Sequence, residues 1–302
     1  MFSRILFLLA FAQTALASPW FTGPLLAPTG KTIPKGHFNF EPYGFYTEYG
    51  SPQNFKNVEV NPIISVGINS FMDFQASLPY DYSWVREQHG RGVGDFSLGL
   101  GIQALTHKEG SFLPDLRIIL QETIPTGRFE NLNPLKNGTD QTGFGAYQHI
   151  VSFNFQKLFT VGTKHYLRTR FSVAGAFASS VHVEGLNTFG GDETTSGTVH
   201  PGNNFSADLA AEFTLTQNWV AVMEALYLHS NFTGFGANMG GVTPSGAAGA
   251  VGGKGGDSAS LAPAIEYNFT ANLGVIAGVW FSVTGPKAAK FISSAVAINY
   301  YF

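Results

Sequence analysis

The chain has 302 residues, and only 12% of them are charged, against about 25% in ordinary soluble domains. It carries 36 Gly, 28 Phe, 11 Tyr and no Cys, with a formal net charge of −3. The absence of Cys excludes a disulfide framework and a thiolate metal site, and no basic cluster exists to read nucleic acid. So aromatic and charge-poor a chain is ill suited to coating a water-facing surface.

Met1 to Ala17 has the form of a secretory leader. Arg4 gives the positive start, Ile5 to Ala12 the apolar run and Ala15-Leu16-Ala17 the small-residue cleavage site, so the mature chain is expected to begin at Ser18. Beyond it no apolar run reaches the ~18 residues of a membrane helix, so any insertion into a bilayer must use strands. Residues 18–36 hold prolines at 19, 24, 28 and 34, which rules out a ladder strand or a helix. The segment is nevertheless apolar, with Trp20, Phe21, Leu25 and Leu26, and is expected to fold into the mouth of a barrel as a plug.

From His37 onward the sequence reads as twelve alternating strands, ending at Phe302. In the first, Phe38, Phe40 and Tyr46 oppose Asn39, Glu41 and Tyr43; in the second, Val58, Val60, Ile64 and Val66 oppose Glu59, Asn61 and Ser65. Met72 and Phe74 oppose Asp73 and Gln75 in the third, and Phe96, Leu98, Leu100 and Ile102 oppose Asp95, Ser97, Gly99, Gly101 and Gln103 in the fourth. The fifth sets Leu116, Ile118 and Leu120 against Asp115, Arg117 and Gln121, and the sixth sets Val151, Phe153 and Phe155 against Ser152, Asn154 and Gln156. Leu167 and Phe171 oppose Arg168 and Arg170 in the seventh, and Phe205, Leu209 and Phe213 oppose Asp208 and Glu212 in the eighth. The ninth, 219–230, is apolar on both faces; placing Glu224 inward carries Val220, Val222 and Leu226 with it. The tenth sets Ile265 and Tyr267 against Glu266, the eleventh runs from Leu273 to Val283, and the twelfth is Phe291 to Phe302. Pro42, Pro62 and Pro263 inside these strands each require a bulge or a locally unpaired position.

Three features turn this list into a transmembrane antiparallel up-and-down barrel of about twelve strands. Links near 69–70, 217–218 and 271–272 are tight, whereas 81–92, 126–142, 185–203 and 234–257 are long, the pattern of short periplasmic turns and long outer loops. Acids and arginines collect on one parity: Glu41, Glu59, Asp73, Asp95, Asp115, Asp208, Glu212, Glu224 and Glu266 with Arg117, Arg168 and Arg170. A basic side chain facing lipid at mid-membrane costs about 2–4 kcal/mol, so that parity belongs to the lumen. Finally, Ile298, Tyr300 and Phe302 resemble the C-terminal assembly signal of bacterial outer-membrane barrels, which implies the barrel-assembly machinery and outer-membrane lipid as partners. A soluble β-sandwich would share the alternation but would need a lysine-rich polar face, which is absent.

No motif supplies chemistry. Gly253-Lys254 lacks the hydroxyl residue and the helix of a phosphate loop. His229 and Ser230 invite comparison with barrel phospholipases, but neighbours on a strand face opposite ways. The eight His show no paired ligand spacing, so no metal or cofactor is expected. The lumen should hold an ion-pair network, beside an apolar strip of Val220, Val222, Leu226, Ile276 and Trp280 suited to a hydrophobic solute. Gly99, Gly101, Ala174, Ala262, Gly274 and Gly278 leave room on the same parity.

Several stretches are similar to the outer-membrane family named for the MetA-pathway of phenol degradation. They are Gly92-Val93-Gly94-Asp95 with Ser97-Leu98-Gly99, Leu120 to Gly127 with Pro125-Thr126-Gly127, and Ala262 to Tyr267. The resemblance spans the mature chain in strand order and implies a barrel that takes up aromatic or hydrophobic compounds; the expected mechanism is passive diffusion through a constricted path, with no bond chemistry. A structural or surface-adhesive barrel, acting through its long loops, is the alternative, and a barrel-embedded lipid hydrolase a further one.

Overall fold

Strict alternation in a lipid-facing chain leaves the backbone one way to satisfy its polar groups, a closed antiparallel ladder. The computed structural model describes residues 19–50, 54–108, 110–236, 250–284 and 290–302. The expected leader 1–17, Ser18 and residues 245–249 of the glycine-rich run lie outside the described residues.

The strands are β1 (Phe38–Tyr49), β2 (Lys56–Gly67), β3 (Met72–Ser77), β4 (Tyr80–Val85), β5 (Gln88–Val93), β6 (Phe96–Leu105), β7 (Asp115–Ile124), β8 (Gln148–Val161) and β9 (His165–Ala178). They continue as β10 (Val181–Glu184), β11 (Ser196–His200), β12 (Asn204–Thr214), β13 (Trp219–Ser230), β14 (Gly234–Gly236), β15 (Gly256–Asn268), β16 (Leu273–Thr284) and β17 (Phe291–Tyr301). β1 pairs with both β2 and β17, so the sheet closes on itself. The amide of Phe38 donates to Phe302 O at 2.7 Å and that of Phe302 to Phe38 O at 3.0 Å, which leaves no free edge at the seam. β3 with β4, and β5 with β6, are single staves broken at 78–79 and 94–95, which gives the expected closed barrel of twelve staves.

The faces divide as their parity demands. Asp208, Glu212 and Arg170 point inward at 6%, 0% and 6% exposure, while Phe205 and Leu209 face out at 43% and 55%. An apolar exterior around a polar interior excludes the water-soluble sandwich, and the chain is a barrel of the Gram-negative outer membrane. Two of the tight turns share one local device. Thr216 Oγ1 accepts the amides of Asn218 and Trp219, and Thr270 Oγ1 those of Asn272 and Leu273, at 3.0–3.2 Å.

All three prolines sit at locally unpaired positions rather than bulges. Pro42 falls in the gap of the β1–β17 ladder between Phe40 and Tyr43, and Pro263 in the β15–β16 gap between Leu261 and Ala264. Pro62 lies where β2 passes from partner β3 to partner β4. One expectation is corrected: residues 81–92 are not a long loop. They form the β4–β5 hairpin, which extends two staves outward. The Pro79 carbonyl accepts the Gly94 amide at 2.8 Å there, and a Cβ on Gly94 would sit 2.8 Å from the proline ring. The other long connections carry structure that alternation did not announce, since β10, β11 and β14 make a separate three-stranded sheet.

Candidate functional site

Residues 19–35 lie inside the barrel. Gly36 and His37 meet Gly67 and Pro34 at the short-turn end, from which the segment rises and returns to the same end beside Asn268, whose amide donates to Trp20 O at 3.3 Å. Because it joins no ladder, its backbone donors must find side-chain acceptors. Its four prolines reduce that demand, and inward acids and amides meet much of the rest. Glu224 accepts the amides of Leu25, Leu26 and Ala27 at 2.5, 3.0 and 2.8 Å. Glu266 accepts Thr22 and Gly23 at 2.9 and 3.3 Å, Asp73 accepts Ile33 at 2.8 Å, and Gln103 and Gln156 accept Thr32 and Gly30 at 2.8 and 3.3 Å.

None of the four apolar side chains expected to occlude the mouth is exposed. Leu25 is 3% exposed and packs on Val220, Val222, Ala262 and Ile276, with Phe21, Leu26 and Trp280 at the edge of the same cluster. Most of the strip expected to line open lumen is therefore covered by the segment; of its members Leu226 faces the cavity. The room left on β16 is filled in the same way. A Cβ on Gly274 would lie 1.9 Å from Thr22 Oγ1.

The expected ion-pair network is narrower than its list of residues. Arg117 binds Asp73 at 2.6 Å, both fully buried. Arg168 makes two hydrogen bonds to Glu212, Arg170 approaches the same carboxylate at 3.4 Å, and Arg170 also donates to Ala27 O at 3.0 Å. Arg168 further stacks its guanidinium 4.2 Å over the Phe21 ring. Asp115 is reached by Lys31 of the N-terminal segment at 3.5 Å. Asp95, by contrast, has no cation within a salt-bridge distance among the described residues; it staples an outer loop by accepting the amides of Gly127 and Phe144 at 2.9 and 2.7 Å. Glu41 takes Asn299 Nδ2 at 2.7 Å, while Glu59 and Asp208 have no cationic partner within 4 Å among the described residues. Acids outnumber arginines because many of them serve backbone donors, which leave no mark in the sequence.

What the segment does not fill is a cavity of about 750 Å³. Its wall runs from Ser206, Ala174 and Leu226, in the half nearer the long loops, past Glu41, Tyr43 and Asp208, to Tyr301, Ala271 and Pro34 at the short-turn end. A second cavity of about 790 Å³ lies beneath the outer loops, between Tyr49, Glu59, Asp81 and Phe144.

The model of the family described as "MetA-pathway of phenol degradation" matches residues 24–297. The chain belongs to this family. Among solved structures, this family member is similar to the COG4313 outer membrane channel from Pseudomonas putida F1, at 11% identity and a TM-score of 0.64 over 90% of this chain and 97% of that one. The NanC porin is a more distant likeness, with 10% identity and a TM-score of 0.44 over 86% of this chain and 98% of that one. No curated protein matches. At these identities the likeness is one of fold.

The hydrolase arrangement does not assemble in this family member. His229 shares its outward parity with Tyr227 and is held at Nδ1 by Asp257 at 2.7 Å and at Nε2 by Asn231 at 3.1 Å, while Ser230 has the opposite parity. Among the described residues no three of His, Asp and Glu are grouped to hold a metal ion.

Proposed function

We propose that this barrel is an outer-membrane channel through which small solutes diffuse passively beside a seated N-terminal plug. The observation that carries the reading is the cavity that passes residues 21–34 from the short-turn end into the half of the lumen nearer the long loops. Its wall mixes Tyr43, Phe45, Ile63, Ile119 and Leu226 with Ser, Asn, Gln and carboxylate side chains. That mixture suits a small aromatic solute bearing a polar group, in keeping with the family's name, better than a purely aliphatic one.

The test is single-channel recording on the full mature chain and on a chain lacking 19–36. The expected result is a small conductance for the first and a larger one for the second. Silence from both refutes the channel and favours a structural or surface-adhesive barrel. Uptake of phenol by loaded liposomes, faster than uptake of a sugar of similar size, tests the solute class; equal rates refute it.

A further inference from the structure

The outward face is apolar over most of its height but changes character at the long-loop end. Strand register there sets two rows side by side across β1, β2, β4 and β5: Glu48, Lys56, Trp84 and His89 in one, Tyr46, Val58, Tyr82 and Arg91 in the next. These positions share the parity of Val60, Tyr80 and Val93, which are exposed. Lys290 continues the outward parity of Ile292 next to them, its carbonyl accepting the Gly50 amide at 2.8 Å.

Charge in this sector is unbalanced. Within the two rows the one carboxylate is Glu48, taken by Lys56 at 3.0 Å and by the Tyr46 hydroxyl at 2.5 Å, while the exposed hairpin tip between β4 and β5 adds one charge of each sign, Arg86 and Glu87. Arg91 and Lys290 have no carboxylate partner among the described residues. Elsewhere at the same end the outward polar groups are neutralised around an acid: His149 on Glu122 at 2.5 Å, and Tyr227 and His229 on Asp257 at 2.6 and 2.7 Å. The basic sector also carries a ledge of rings, with Tyr82 centred 5.4 Å from Trp84 and 6.3 Å from His89, and Tyr46 6.0 Å from Trp84.

Cations set in the same two rows as an aromatic ledge, at the long-loop end of the lipid-facing wall, match one component of the outer leaflet: a glycolipid with phosphates on its sugars and acyl chains below. We propose that the β1–β2–β4–β5 sector binds the phosphorylated glycolipid of the outer leaflet. Arg91, Lys56 and Lys290 meet its phosphates, and Tyr82 and Trp84 lie against the sugar and the first methylenes.

The test titrates the detergent-purified mature chain with diphosphoryl lipid A, its dephosphorylated form and phosphatidylglycerol, reading bound lipid by native mass spectrometry. Diphosphoryl lipid A is expected to bind at least tenfold more tightly than either comparison lipid. Lys56→Gln with Arg91→Gln should abolish that preference, Lys56→Arg with Arg91→Lys should keep it, and His149→Gln on another sector should leave it intact. Heat-shifted migration on gels verifies the barrel in each variant; if the double variant loses it, Arg91→Gln alone must weaken binding at least threefold. Equal binding by wild type and the Gln variants overturns the proposal, as does phosphatidylglycerol matching lipid A, which would be unspecific attraction of anions.

Discussion

Glu224 is the most heavily used anchor of the N-terminal segment, and its removal is the sharpest perturbation available. The side chain is fully buried and accepts three consecutive amides, from Leu25 to Ala27. Glu224→Ala strands those donors, and each costs about 1–3 kcal/mol when buried without a partner. Leu26 is only half-buried and can recruit water from the cavity, so the penalty falling on the seated segment is about 2–6 kcal/mol. Even the lower bound raises the unseated population about 30-fold at 1.4 kcal/mol per decade. The chain has no cysteine, so Ala27→Cys, at a position 4% exposed, makes a single thiol whose labelling rate reports that population. The rate should rise about 30-fold or more when Glu224→Ala is added. Glu224→Gln, which keeps one acceptor oxygen, should fall between. Unchanged labelling together with unchanged conductance would refute the view that this carboxylate holds the segment in the lumen.

Four further outcomes follow from the structure. Arg117→Ala leaves the fully buried Asp73 without its cation, a loss of about 3–5 kcal/mol that should lower the gel-shift melting temperature. Arg168→Ala should cost less, because Arg170 still faces Glu212 at 3.4 Å. Glu41→Gln with Asp208→Asn removes two carboxylates that face the cavity without an arginine bonded to them, and should shift the zero-current potential in a KCl gradient away from cation preference; no shift would place the ion path elsewhere. In the outer loops, Thr194 donates its amide and hydroxyl to Asp192 at 2.9 and 2.8 Å and holds that carboxyl below its usual range. A depressed folded pKa stabilises the loop above the unfolded value of about 4 and ceases to do so as pH falls through the folded value. Cleavage within 185–203 by an acid protease should therefore be slower than in Asp192→Asn near pH 5, and the two should converge as pH drops; identical rates at both ends would refute the contribution.

Strand phase was legible because lipid penalises an inward residue that strays outward, so alternation survives even through three prolines. Strand nine was resolved by one residue, Glu224, whose inward placement carried Val220 and Val222 with it; both are buried in the lumen. The β4–β5 hairpin was missed although Tyr80, Tyr82 and Trp84 alternate with Asp81 and Ser83. Pro79 before it, Gly90 and Gly92 within it and Gly94 after it read as breakers when judged by composition alone. The roles of Asp95, Glu224 and Glu266 were hidden for a different reason. Their partners are backbone amides of distant segments, which every residue but proline possesses, so no side-chain pattern signals the pairing.

The same fact links opening to selectivity. While the N-terminal segment is seated, Glu224 and Glu266 are occupied by its amides, and Val220, Val222 and Ile276 by Leu25 and its neighbours. Unseating it uncovers two carboxylates and the apolar strip together. A wider lumen alone would dilute the influence of the wall charges on passing ions. Here the widening also adds uncompensated acid, so the chain lacking 19–36 should conduct more and prefer cations more strongly than the full chain. A deletion that raises conductance while lowering cation preference would show that Glu224 and Glu266, once freed, do not face the permeating ions.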